Sequence, residues 1–276
     1  MEIRALSWNL FHGRDAPPDP ALFTLRSKLL RITERNETHV QVNRDLLDEF
    51  ARVLGGAEWD VALLQESPPR WADPLAVACQ ADPHRVLTAR NRIPAIQGAL
   101  HRWNPDLMGS WEGGSNLTLV RRLGIAERRE LVLRRGPPER RVMAFTRLTS
   151  GPCVGNLHAT TRDQPLAEEE ARLAAETAVR WADGAPLILG GDFNLRPERS
   201  GVFDELERRF ELLPTTAPNA IDHVLARGLD VAEAPSRWPA EARELPWEGL
   251  AVRLSDHAPV DALFASRVAR SSADGH

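Results

Sequence analysis

Asn9 closes the stretch EIRALSWN, Glu66 closes WDVALLQE, His158 closes CVGNLH, and Asp192 with Asn194 closes PLILGGDFN. Each stands at the end of an apolar run with the length and composition of a buried strand. Two further runs show the reverse order, because Asp222 opens IDHVLA and Asp256-His257 stands just before APVDALF. Taken singly, such a residue is ordinarily a turn or cap. Restriction of the whole set to Asn, Glu, His and Asp is what points to chemistry. If the last two strands run antiparallel to the first four, every one of these side chains reaches one sheet edge, where α/β folds commonly place their sites.

The chemistry these types support is metal-assisted attack on phosphorus. A hard cation such as Mg²⁺ prefers carboxylate oxygens and leaves positions for a substrate phosphate. Glu66 and Asp256 are the carboxylates assigned to it, with Asn9 holding the site in shape. Asp222 is placed to orient His257 and to favour its charged form. Asp192 and Asn194, two apart on an extended segment, present an acceptor and an amide to the same side. The sequence has no HExxH, no Cys/His quartet, no GxxxxGK[ST] and no GxSxG, so zincin, zinc-finger, P-loop and serine-hydrolase chemistry have no support.

Strands are expected at EIRALSWNL, WDVALLQE, SNLTLVRR, RVMAFTRLT, CVGNLHAT, PLILGGDFN, AIDHVLAR and APVDALFA, with RVMAFTRLT and CVGNLHAT forming a hairpin through Ser150-Gly151-Pro152. Helical spacing marks NRDLLDEFARVLGG, with Asn43 as cap and Gly55 as stop, and SGVFDELERRFELL, with Ser200 as cap. In PLAEEEARLAAETAVRWADG the three glutamates are expected to be a solvated helix start. Residues 14–42 have no clear form, and residues 268–276 read as a frayed tail. Strands joined by both helices and tight turns imply mixed sheets.

With 276 residues and no long linker, one domain over residues 1–267 is expected. The net charge of −4 advertises no nucleic-acid partner, and Lys28 is the only lysine among many arginines. Cys79 and Cys153 lack metal or redox spacing and are expected to be buried thiols. No signal-peptide pattern and no apolar run near the ~20 residues of a membrane helix is present, so a cytoplasmic location is expected and no segment stands out for membrane docking. No obligate protein partner is indicated.

Together the motifs resemble the endonuclease/exonuclease/phosphatase superfamily, the group that includes DNase I. SWNLFHG resembles its opening motif, LLQE its metal-glutamate motif, NLHAT its first histidine motif, GGDFN its Asp-x-Asn motif, IDHV its aspartate strand and LSDHAPV its Ser-Asp-His motif; GGSNLTLVRR is similar to its Gly-Asn strand. The resemblance implies a four-layer α/β sandwich of two packed mixed β-sheets flanked by helices. It also implies phosphoester hydrolysis with Mg²⁺ or Mn²⁺.

Carried over by motif, Glu66 and Asp256 are metal ligands with Asn9 beside them. Asp192 orients or deprotonates the attacking water, Asn194 binds a phosphate oxygen, His257 contacts the scissile phosphate and pairs with Asp222, and His158 is a general acid or phosphate ligand. No acidic partner for His158 is visible. His223 should face away from the site, His12 and His101 read as loop histidines without a role, and Arg70, Arg90, Arg92 and Arg162 as solvated. Trp103 and Trp111 flank a loop that would reach over the site or anchor itself. The expected activity is that of a phosphodiesterase or nuclease, with nucleic acid among the candidate substrates. Alternatives are a phosphomonoesterase, a phospholipid phosphodiesterase, and a non-catalytic scaffold of the same fold.

Overall fold

The computed structural model describes residues 1–89, 93–109, 111–136, 140–217 and 219–267. Arg90, Arg92 and the tail at 268–276 lie outside the described residues. The larger sheet runs β12 (Leu229–Arg237), β15 (Val260–Ser266), β1 (Glu2–Asn9), β4 (Val61–Ser67), β6 (Ser115–Val120), β5 (Asp82–Leu87). The smaller runs β11 (Asp222–Arg227), β10 (Leu187–Asp192), β9 (Cys153–His158), β8 (Arg141–Leu148), β7 (Ile125–Arg134). Both are mixed: β1 is parallel to β4 and antiparallel to β15, while β10 is parallel to β9 and antiparallel to β11. The two late strands therefore run against the others, and their beginnings share an edge with the ends of β1, β4, β9 and β10. The expected hairpin is the antiparallel β8–β9 pair.

The sheets pack face to face through alternate aliphatic side chains, Ile3, Ala5 and Leu63 of one meeting Val154, Ile188 and Val224 of the other. Outside the larger sheet, α2 (Leu47–Gly56) and α3 (Ala72–Cys79) bury Phe50, Leu54 and Leu75 against Trp8, Trp59 and Trp71. Outside the smaller, α6 (Gln164–Ala182) applies an alanine stripe of Ala167, Ala171, Ala174 and Ala178, and α7 (Val202–Phe210) adds Phe203 and Leu206. This is the expected four-layer α/β sandwich. Residues 14–42 form α1 (Leu25–Leu30) and a ribbon of β2 (Glu34–Arg35) and β3 (Val40–Gln41) beside a second ribbon, β13 (Glu244–Trp247) and β14 (Leu250–Arg253). Isolated bridges join Asp15 to Leu254 and His39 to Ala251. Two short helices follow one another at α4 (Pro94–Trp103) and α5 (Pro105–Met108). Cys79 and Cys153 are buried and free.

Local expectations fail where tertiary partners compete for a side chain. Asn43 does not cap α2; its amide donates to Ser27 O at 3.2 Å and Asn104 Oδ1 at 2.7 Å, tying α1 to α5. Gly201 takes the cap position of α7, one residue later than expected; the Ser200 hydroxyl accepts Val202 N at 3.4 Å and donates to Glu168 Oε1 at 2.8 Å. The glutamate run is not uniformly solvated, because Glu170 is buried and accepts Thr160 N at 2.7 Å and Thr160 Oγ1 at 2.8 Å. Gly190 and Gly191 leave room for neighbouring protein atoms. A Cβ on Gly190 would meet Leu63 Cδ1 at 2.7 Å across the sheet interface, and one on Gly191, with φ of +140°, would meet Leu157 O at 1.8 Å.

Candidate active site

Glu66 reaches the rim through a bulge. Leu64 pairs with Leu117 and Ser67 with Ser115, so Gln65 and Glu66 both oppose Asn116. Glu66 takes a left-handed φ of 48°, which breaks the alternation of the strand and re-aims its carboxylate. Gln65 stays fully buried and donates to Asn156 Oδ1 of the other sheet at 2.8 Å. An amide seam thus joins the sheets beneath the acid.

Register places Asp192 between His158 on β9 and Asp222 on β11. Asp192 Oδ2 accepts Asn9 Nδ2 at 3.0 Å, which links the ends of the two sheets, and Oδ1 accepts Asn194 N at 3.0 Å. Asn194, at φ 53°, donates Nδ2 to Ala159 O at 3.0 Å, and Asn9 Oδ1 accepts Phe11 N at 2.9 Å. Burial raises the pKa of Asp192; His257 and Asn9 oppose the shift and Asp222 adds to it.

His257 Nδ1 lies 2.9 Å from Asp222 Oδ2, while Nε2 stands 3.9 Å from Asp192 Oδ2 and 4.0 Å from Asp256 Oδ1. Burial disfavours the imidazolium, but Asp222 and Asp192 outweigh it and push the pKa up to about 10. Ser255 fixes the turn before it, its hydroxyl donating to Asn9 O at 2.6 Å and accepting His257 N at 3.0 Å. The ligand-type atoms of Asp192, Asp222 and His257 lie within 4.8 Å of one another, and the Asp222–His257 bond engages Oδ2 and Nδ1 of that group.

His158 has a basic partner in place of the acidic one sought. Arg141, at the start of β8, brings Nη1 to 3.1 Å from Nδ1 of His158. Glu66 Oε1 at 3.8 Å and Asp192 Oδ2 at 3.6 Å lie beyond hydrogen-bond reach of its Nε2. Burial first, then Arg141, hold its pKa well below the usual histidine value.

A cleft of about 690 Å³ takes in Asn9, Glu66, His158, Asp192, Asn194, Asp256 and His257, with Asp222 behind His257. It is also lined by Phe11, His12, Arg14, Arg141, Thr160 and Arg162. His12 therefore does reach the site, with Nε2 3.3 Å from Glu66 Oε2. Arg162 is a wall residue and not only a solvated one. Arg141 was detectable in principle by the strand-start rule applied to β8, but arginine is so common in this chain that the signal drowned.

Other expectations resolve away from the cleft. Arg70 pairs with Asp45 at 2.7 Å and with Glu112, so it is structural and half-buried. His101 is on helix α4 and not on a loop, buried with Nδ1 2.6 Å from Glu112 Oε2. His223 faces the other way as expected, its Nε2 3.0 Å from Leu195 O and its ring against Phe203. Trp103 ends α4 and is exposed, as is Trp111.

Comparison with the curated proteins gives no match. Solved structures of similar fold include an endonuclease/exonuclease/phosphatase family protein from Bacteroides thetaiotaomicron, 15% identical, with 97% of this chain and 99% of that one aligned at a TM-score of 0.64. TDP2 from Caenorhabditis elegans aligns over 96% of this chain and 75% of its own at 16% identity and a TM-score of 0.59. A mannosyl-6-phosphatase of B. thetaiotaomicron aligns over 94% and 98% at 16% identity and a TM-score of 0.58. At such identities the likeness is one of fold. Residues 6–257 match the Endonuclease/Exonuclease/phosphatase family itself, and the chain belongs to that family, whose members are generally phosphoester hydrolases and typically use divalent metals.

Proposed function

We propose that this protein is a Mg²⁺- or Mn²⁺-dependent phosphoester hydrolase of the phosphodiesterase or nuclease type, in which water attacks phosphorus in line. The meeting of Asp192, the Asp222–His257 pair, and Glu66 with Asp256 in one cleft supports this reading most strongly. Burial raises the Asp256 pKa, and Glu66 adds to the shift against the opposing pull of His257. Glu66 opposes the ionisation of Asp256 across an open cleft, and the two form a hard-oxygen set whose charge a divalent cation would relieve. Glu66 and Asp256 would hold that ion, with Asn9 beside them, and it would stabilise charge developing on the phosphate oxygens.

Asp192 is assigned to the water. Its carboxylate is fixed by Asn9 and the Asn194 amide, and its raised pKa suits it to accept the proton released as the new P–O bond forms. His257, held charged by Asp222, faces the phosphate and stabilises its added negative charge as the leaving-group P–O bond breaks. His158, kept neutral beside Arg141, is assigned with it to phosphate oxygens and not to proton donation. Asn194, fixed by Ala159 O, is assigned to another phosphate oxygen.

Bis-p-nitrophenyl phosphate, p-nitrophenyl phosphate, DNA, RNA and phospholipid, each assayed with Mg²⁺, Mn²⁺ or EDTA, test the reading. Hydrolysis is expected with metal and lost in EDTA. Asp192→Ala and His257→Ala should each lower turnover by ~10²–10⁴-fold. Near wild-type turnover by both variants, or full activity in chelator, sinks the assignment. Activity confined to monoesters would favour the phosphatase reading.

A further inference from the structure

Large apolar side chains are exposed together on one side of the cleft. On α1, Leu25, Leu29 and Leu30 are 72%, 51% and 66% exposed while Ser27 is buried. On α4, Ile96 and Trp103, seven residues apart on one helical face, are 55% and 53% exposed, and Leu107 of α5 is 44% exposed. The elements adjoin. Asn104 Nδ2 donates to Lys28 O at 2.7 Å, and the Arg31 guanidinium lies 5.5 Å from the Trp103 ring centre.

The same segment borders the catalytic cleft. A Cβ on Gly109, just past α5, would sit 3.5 Å from both His12 Cβ and Arg14 Nε, which line it. Trp111, 57% exposed, is tied back to α4 through its carbonyl, which accepts Gln97 Nε2 at 2.8 Å.

Exposed charge on α1 and α4 themselves is basic, while the nearby carboxylates are engaged at the edges, Asp45 3.7 Å from Arg102 and Glu34 accepting from Thr24 at the start of α1. Among the described residues of 20–33 and 93–111, the exposed charges are Arg26, Arg31 and Arg102; Lys28 is half-buried, and Asp106, which is buried, is the one carboxylate. Aliphatic side chains predominate over aromatic ones. A stacking platform for single-stranded nucleic acid needs aromatic faces in series, whereas Leu and Ile gain by entering hydrocarbon, with Trp at the headgroup level and Arg over anionic lipid.

We infer that the α1–α4–α5 face docks on an anionic bilayer and presents the adjacent cleft to phosphoesters at the membrane surface. The substrate class in this statement rests on the hydrolytic function proposed above. The docking does not.

Cosedimentation of the whole protein with phosphatidylcholine vesicles, with and without 30% phosphatidylglycerol, reads docking without turnover, so its failure leaves the hydrolase assignment standing. Binding is expected to the anionic vesicles well above the neutral ones. Leu29→Glu combined with Trp103→Glu should lower that partitioning by roughly tenfold or more. Leu173→Glu, at a 40% exposed apolar position on α6, should leave it unchanged. Thermal melts establish that each variant is folded. Absence of binding at either composition, or equal binding by the double variant, overturns the inference. So does single-stranded DNA binding that the double variant loses without any vesicle binding, because the face would then belong to nucleic acid.

Discussion

Arg141 Nη1 stands 3.1 Å from Nδ1 of His158, two buried side chains of neighbouring strands at the wall of the cleft. Nη1 is also 3.2 Å from Nε2, and because a guanidinium only donates, one of the two ring nitrogens must accept, while the fixed positive charge opposes protonation of the ring. Arg141→Gln should therefore move the His158 pKa up from its depressed value, read by NMR titration of the metal-free protein, and lower turnover. An unmoved titration would mean that burial alone sets it.

The Asp222–His257 contact of 2.9 Å fixes the tautomer and orientation of the imidazole. Asp222→Asn keeps the shape and removes the charge. Turnover should fall by ~10²-fold or more with a smaller change in KM, since the group acts chiefly where charge develops. A pure KM effect would assign Asp222 to substrate binding instead.

Glu170 anchors the loop after His158 through both Thr160 N and Thr160 Oγ1, and takes Arg134 Nε at 3.1 Å. Glu170→Ala would leave these buried donors unsatisfied, costing about 1–3 kcal/mol. Urea denaturation should show a lower midpoint with unchanged slope, accompanied by weaker activity because Thr160 is a wall of the cleft.

His84 and His223 are buried away from the cleft, and both have pKa values lowered to about 4, chiefly by burial, with Arg128 adding to the effect on His84. Unfolding lets each ring take a proton below ~6.5, which the folded protein refuses until about 4. The contribution of these two rings to stability should therefore be full above pH 6.5 and fall as pH drops toward 4, by up to ~1.4 kcal/mol per pH unit per ring. Denaturation midpoints from pH 7 to 4 measure this. Asp192, whose pKa burial raises, pulls the curve the other way over the same range, so the effect is read from the difference between wild type and His84→Gln; an unchanged slope would contradict neutral burial of His84.

The positions of eight strands along the chain were legible because apolar alternation and polar strand ends are local properties, while their order in each sheet was not. Asn9, His158, Asp192, Asp222 and His257 could be placed at one rim from sequence once Asp222 and Asp256-His257 were seen to open their strands and not to close them. Sequence also marked α2, α6 and α7, since each turns a continuous apolar stripe to a sheet. It missed β5, β7, β12, α3 and α4: charged side chains interrupt β7, and α4 hides few residues, with Gly98 and His101 buried while Ile96 and Trp103 are exposed.

What tertiary structure alone decided is which partners a side chain finds across long separations in sequence. Glu170 looks like a solvated helix start until Thr160 and Arg134 enclose it. Arg141 looks like one arginine among many until β8 lies beside β9 and sets it on His158. Gly190 gives no local sign of why it carries no side chain until Leu63 of the opposite sheet fills the space. The apolar face of α1 and α4 is likewise invisible in the chain, since its leucines and tryptophan come from segments more than 60 residues apart and only folding shows that they stay exposed among the described residues. Strand patterning follows from short-range alternation and was there to be read, whereas burial, pKa and surface depend on which distant groups arrive, and that is fixed only when the two sheets close.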